Sequence, residues 1–172
     1  MKKIIVFTLL SFCTCIIVLA QDQPKFKFIA GPELSFATGS FSDKSSFGIG
    51  ATGQVDISLK EKIYGTITSG IHFFNGKSIA GSSTTKTTGP TIIPVRVGGK
   101  YFVVGGVYTA FQMGVAFISN NTDYNGTAFA YSPQLGYEFR TKTGRAVDAT
   151  FKYDGYSKNG IGALGFRLAY VF

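Results

Sequence analysis

Tryptophan is absent from this 172-residue chain, histidine occurs once, and there are only five prolines and two cysteines. Charge is scarce too: 15% of residues are charged, against roughly 25% in ordinary soluble domains. Both cysteines, Cys13 and Cys15, lie in the first twenty residues. That segment reads as a leader. Lys2 and Lys3 precede the apolar stretch Ile4–Leu19, and Val18-Leu19-Ala20 precedes the polar Gln21-Asp22-Gln23. This is the pattern of a secretory signal peptide with cleavage after Ala20, and its apolar stretch is shorter than the ~20 residues that span a bilayer as a helix. The expected mature chain, 21–172, then has no thiol, which excludes a disulfide, a cysteine nucleophile and a thiolate metal site. With 45% hydrophobic residues, it is also too apolar and too weakly charged for intrinsic disorder.

Of the chain's 17 basic residues, 15 remain once Lys2 and Lys3 are removed, against 9 acidic ones, a net charge of +6. The basic residues are scattered instead of forming a helical stripe, and the chain reads as exported, so no nucleic-acid partner is expected.

What the mature chain does have is a period of two. No stretch after Gln21 keeps a 3.6-residue apolar period, whereas alternation of apolar and polar residues recurs throughout. From Phe47 to Lys60, the odd positions are Phe47, Ile49, Ala51, Gly53, Val55, Ile57 and Leu59, and the even positions are polar or Gly. The same test marks strands over 26–36, 63–73, 93–101, 107–117, 129–140, 147–154 and 164–172; the third, fourth and fifth strands in chain order alternate least cleanly. Their connections tend to alternate long and short: 38–46, 75–90 and 119–126 are longer, whereas 60–62, 103–106 and 141–144 are tight. Long loops on one side and tight turns on the other fit an antiparallel up-and-down barrel in an outer membrane. An even strand count puts both termini on the turn side, expected to be periplasmic.

Alternation alone leaves a soluble lipocalin-like carrier open, with its apolar face inward. Three features favour apolar-outward. The polar faces are rich in Gly, Ala, Ser and Thr and do not form a charged coat. Their charges have both signs: Glu33, Asp56, Glu138, Asp148 and Asp154 against Lys27, Arg96, Lys100, Arg140, Lys152 and Arg167. Aromatics on the apolar faces gather toward strand ends, with Phe36, Phe47, Phe73, Phe117 and Phe129 on the loop side and Phe26, Phe28, Tyr101, Tyr137, Tyr170 and Phe172 on the turn side. Two such groups would form interfacial girdles. Within the lumen, Arg96, Lys152 and Arg167 are each expected to pair with one of Glu33, Asp56, Glu138 and Asp148.

Phe26-Lys27-Phe28-Ile29-Ala30-Gly31, Ile93-Pro94-Val95 and the end Gly165-Phe166-Arg167-Leu168-Ala169-Tyr170-Val171-Phe172 resemble the bacterial outer-membrane β-barrel domain family. Its small eight-stranded members are of the OmpA/OmpX type, and the style is similar to the porin-T-like barrels. The resemblance implies an all-β, eight-stranded antiparallel transmembrane barrel over 21–172 in a Gram-negative envelope. It also implies that Tyr170 and Phe172 resemble the C-terminal signal read by the barrel-insertion machinery; where that signal usually has Gly, this chain has Arg167.

Three motifs point elsewhere. Gly48-Ile49-Gly50-Ala51-Thr52-Gly53 spells a dinucleotide fingerprint, but alternation continues through Lys60 and no helix follows to meet a pyrophosphate. Gly76-Lys77-Ser78 would need an earlier Gly at position 71, which is Ile71. Asn120-Asn121-Thr122 and Asn125-Gly126-Thr127 match glycosylation sequons but read as loop chemistry. His72 could be the base of a lipid-modifying barrel enzyme. However, Ser69 lies on the opposite face of its strand, and neither Thr68 nor Gly70 is an obvious partner. No catalytic, cofactor or metal residue is assigned. An eight-stranded interior is just wide enough to be filled by side chains. The expected function is therefore non-enzymatic, structural or surface-presenting, by a monomer in outer-membrane lipid, with 75–90 as the leading surface loop.

Overall fold

The structure, a computed structural model, describes residues 26–43, 45–77, 89–119, 126–140, 146–157 and 160–172. The expected signal peptide, most of the 75–90 loop and Asn120, Asn121, Thr122 and Asn125 of the two sequons lie outside the described residues.

Eight strands form in chain order: β1 Phe26–Thr38, β2 Ser45–Lys60, β3 Ile63–Gly76, β4 Thr91–Val104, β5 Val107–Ser119, β6 Gly126–Arg140, β7 Ala146–Tyr156 and β8 Gly162–Val171. A short 3-10 turn, Gly39–Asp43, lies between β1 and β2. Each strand pairs antiparallel with its chain neighbour, and β8 pairs back onto β1, closing the barrel. The shortest strand has 10 residues, within the ~9–11 that a tilted strand needs to cross a bilayer.

Tight turns join β2 to β3 and β4 to β5. Gly105 takes a positive φ of 55° between Val104 and Gly106, a conformation in which a side chain would be strained. A Cβ on Gly106 would strike the Glu138 carbonyl of the neighbouring strand.

The alternation sorts the faces as the sequence implies. Phe36, Phe47, Phe73, Phe117 and Phe129 are exposed at the loop end; Phe26, Phe28, Tyr101, Tyr137 and Phe172 are exposed at the turn end. Between them, Leu34, Ile49, Ile67, Val95, Met113, Phe151 and Phe166 also face outward. Meanwhile Glu33, Asp56, Arg96, Lys100, Asp148, Lys152 and Arg167 are each 2% exposed or less. Apolar outside and charged inside is the reverse of a soluble barrel, so the lipocalin-like alternative is overturned. An exterior of this kind is stable only in lipid, where a closed barrel leaves no backbone group unpaired.

The lumen is narrow. A Cβ on Gly31 would meet the backbone of Leu168 and Ala169, one on Gly114 would meet that of Val95 and Arg96, and one on Gly136 would enter the Tyr108 ring. Gly48 and Gly50 of the apparent fingerprint lie on this face within β2, with no room for a Cβ beside Phe74 and His72 respectively. They serve packing, and no helix follows.

Facing can be tested at the β7 midpoint. Single cysteines at 147, 149 and 151 are expected to react with a bilayer-restricted label, and those at 148, 150 and 152 are not. Ala149→Arg is expected to impair assembly, at about 2–4 kcal/mol near the midplane. Thr150→Ser, which keeps a hydroxyl able to bond Asp148, is expected to be tolerated.

Candidate functional site

The chemistry-bearing residues converge in the lumen in two charged layers. Toward the loop end stand Glu33 of β1, His72 of β3, Arg96 of β4, and Lys152 and Asp154 of β7. Lys152 Nζ lies 2.8 Å from Glu33 Oε2 and 3.2 Å from Asp154 Oδ2. Arg96 Nη1 pairs with Asp154 Oδ1. Thr52 Oγ1 donates to Glu33 Oε2 at 2.7 Å, and His72 Nδ1 lies 3.4 Å from Glu33 Oε1.

Toward the turn end, Lys100 Nζ sits 2.9 Å from Asp56 Oδ2 and 3.5 Å from Asp148 Oδ2. Arg167 Nη2 donates to Asp148 Oδ1 at 3.0 Å, and its Nη1 donates to Gln54 Oε1 at 2.8 Å. The Tyr108 hydroxyl donates to Asp148 Oδ2 at 2.7 Å. Gln112 Nε2 donates to Thr66 at 3.1 Å and to Thr68 at 2.9 Å, completing a polar belt between the layers.

Each layer holds two carboxylates and two cations. That balance is what burial demands, because an unpaired charge in a medium of low dielectric is far costlier than a paired one. The expected pairings hold for Arg167 with Asp148 and for Lys152 with Glu33. For Arg96 they need correction: its partner is Asp154, outside the expected four. Asp154 reaches the lumen near the loop end of β7, and the long guanidinium crosses to it.

Both ends of the lumen are closed by apolar groups. At the loop end, Phe41 of the 3-10 turn is 1% exposed and packs edge-on to Phe74 with ring centroids 5.0 Å apart. Ile92, Ile118, Tyr156 and Ile161 complete this cluster. At the turn end, Phe102 packs edge-on to Tyr64 and tilted against Tyr108, each 5.5 Å away, while Ile29, Ala146, Ala169 and Val171 form a second patch. Lys27 and Lys100 lie over these rings.

This geometry bears on His72. It is buried in the sealed lumen, its Nδ1 faces a carboxylate, and Nε2 has no hydrogen-bond partner. Among the described residues, no hydroxyl is hydrogen-bonded to it; the nearby Thr52 donates to Glu33 instead. A general base needs its nucleophile in such reach, and no such pair is assembled here. Nor does any group of three His, Asp or Glu among the described residues have metal-binding geometry.

No protein-family model matches this chain, and no curated protein sequence does. Solved structures do. Neisserial surface protein A is 13% identical, with a TM-score of 0.61, covering 85% of this chain and 94% of its own. Ail, the attachment invasion locus protein of Yersinia pestis, solved with the heparin analogue sucrose octasulfate, is 13% identical with a TM-score of 0.58, covering 87% and 99%. The fold is that of the small eight-stranded outer-membrane barrels. At these identities the likeness concerns architecture alone, and the lumen chemistry above belongs to this chain.

The paired layers generate a stability prediction. Asp154→Ala strands Arg96 and leaves Lys152 with Glu33 as its remaining carboxylate, and is expected to destabilise the detergent-folded barrel by about 3–5 kcal/mol. Lys77→Ala at the rim is expected to cost under about 1 kcal/mol. Urea titration followed by the gel shift between unboiled and boiled samples measures both; equal effects would mean that the layers are hydrated.

Proposed function

We propose that this chain is a non-enzymatic, monomeric integral protein of a Gram-negative outer membrane that presents its loops at the cell surface, with both termini periplasmic. The observation that carries this reading is the lumen: among the described residues it is a neutral, ion-paired core with an apolar cluster at each end, which supports a filled barrel without a pore or a reactive centre. Function is then left to the connections, the usual place for recognition on a rigid scaffold. The strand ends Thr38, Gly76, Ser119 and Tyr156 share one rim, and of the connections leaving them the sequence makes 77–90 the longest. The C-terminal pair Tyr170 and Phe172, with ring centroids 4.6 Å apart, is our candidate for the contact with the insertion machinery.

Three measurements test the proposal. The wild-type protein is expected to add no steady conductance to a planar bilayer; a steady open current would overturn the sealed lumen. An epitope inserted between Ser82 and Ser83 is expected to bind antibody on intact cells, while one following Asp22 binds only after permeabilisation. The reverse pattern would overturn the orientation. A lipid A profile unchanged by His72→Ala is expected, and a changed one would restore the enzyme reading.

A further inference from the structure

Among the described residues, every charged side chain lies in the lumen or at a rim, and none lies on the lipid-facing band. Those exposed at the rims are unequally divided. The loop end has Asp43 and Lys77, and Lys77 Nζ is occupied, 2.8 Å from the Ser42 carbonyl. The turn end has Lys60, Lys62 and Arg140 against Glu61 alone.

Arg140 is held in place. Its Nε donates to Glu138 Oε1 at 3.0 Å, yet its side chain remains 66% exposed. Glu138 is itself buried, and both its oxygens accept from Lys27 Nζ, at 3.1 and 3.2 Å. One carboxylate thus serves two cations, leaving a surplus positive charge. The buried anchor fixes the guanidinium while its far edge faces outward.

The cations are also spread around the barrel. Lys60 and Lys62 flank the β2–β3 turn, whereas Arg140 ends β6, with β4 and β5 between β3 and β6. A small ligand could not touch both sites, but a planar array of anions meets both. Their height selects the array: Arg140 follows the lipid-exposed Phe139, and Lys60 follows the lipid-exposed Leu59, in the same rim as Tyr101 and Tyr137. That is headgroup level.

We propose that the turn-end rim recognises anionic phospholipid headgroups through Lys60, Lys62 and Arg140, with Glu138 as the positioning residue for Arg140. This rests on the reading that the barrel spans a membrane with its turn end at the inner leaflet. A juxtamembrane cation strengthens attachment to an anionic surface roughly fivefold, so three form a surface selective for lipid charge.

The test is native mass spectrometry of the full chain released from mixed micelles of phosphatidylglycerol and phosphatidylcholine. This readout is independent of orientation in the cell, so failure of the epitope experiment leaves it intact. The wild type is expected to retain phosphatidylglycerol preferentially. The triple variant Lys60→Gln, Lys62→Gln, Arg140→Gln, shown to be folded by its heat-dependent gel shift, is expected to lose that preference by roughly fivefold per charge removed. Lys77→Gln is expected to keep it. Equal retention of the two lipids by the wild type, or an equal loss in Lys77→Gln, would overturn the proposal. So would co-sedimentation with peptidoglycan sacculi that depends on the same three residues without any lipid preference.

Discussion

Closure of the hydrogen-bond ladder between β1 and β8 is the constraint on which the rest of the molecule depends. In hydrocarbon there is no water to satisfy an edge strand, so each backbone group must find its partner within the chain. The seam runs from Ile29 opposite Val171 to Thr38 opposite Gly162, and the last residue joins it, with Phe172 N donating to the Phe28 carbonyl at 2.8 Å. Closing at eight strands makes the interior tight. Gly31 has no room for a Cβ against Leu168 and Ala169, and Gly165 sits where Lys152 and Glu33 side chains pass.

That tightness explains the ionic core. Large apolar side chains already crowd both ends, and long charged ones reach between non-adjacent strands, as Arg96 of β4 does to Asp154 of β7 and, at the turn end, Lys27 of β1 to Glu138 of β6. Such contacts tie distant parts of the ring together, which ladder bonds between neighbours cannot do. Each is weak evidence for stability relative to a hydrophobic filling. Once the charges are present, however, the loss of a sole partner, such as Asp154 for Arg96, leaves the other stranded, and the loss of a shared one weakens two pairs. Substitutions within a layer are therefore coupled.

The strands and their facing were legible in the sequence because lipid imposes one rule on every second residue. The predicted strand over 47–60 is observed as Ser45–Lys60, and the lumen set Glu33, Asp56, Asp148 and Arg167 follows from parity alone. The weaker alternation of β3, β4 and β5 comes from small or polar residues on the outward face, Ser69, Gly99 and Thr109, while Phe74, Ile92, Phe102 and Ile118, just outside the predicted bounds, are apolar yet point inward and form the end seals. Ile29 does the same in β1. Phe41 was illegible, since it closes the mouth from a 3-10 turn that carries no strand period. Pair identities were only partly legible: parity says which residues share the lumen, but not how far a guanidinium reaches across it, so Arg96 escaped its expected partners.

An identity of 13% to barrels of the same architecture is intelligible in these terms. The fold requires alternation, small residues where the lumen is tight, charges that cancel, and girdles at two heights. Many sequences satisfy all four, so the scaffold transmits little about activity. What distinguishes one such barrel from another must sit where these requirements lapse. The lipid band cannot carry charge, and the lumen cannot carry net charge. The rims can, and in this chain the surplus at the described turn end is organised by a buried carboxylate, whereas charge at the loop end lies on connections free to diverge. Divergence of function at the loops, with conservation of fit to the bilayer at the turns, follows from the same physics that closes the barrel.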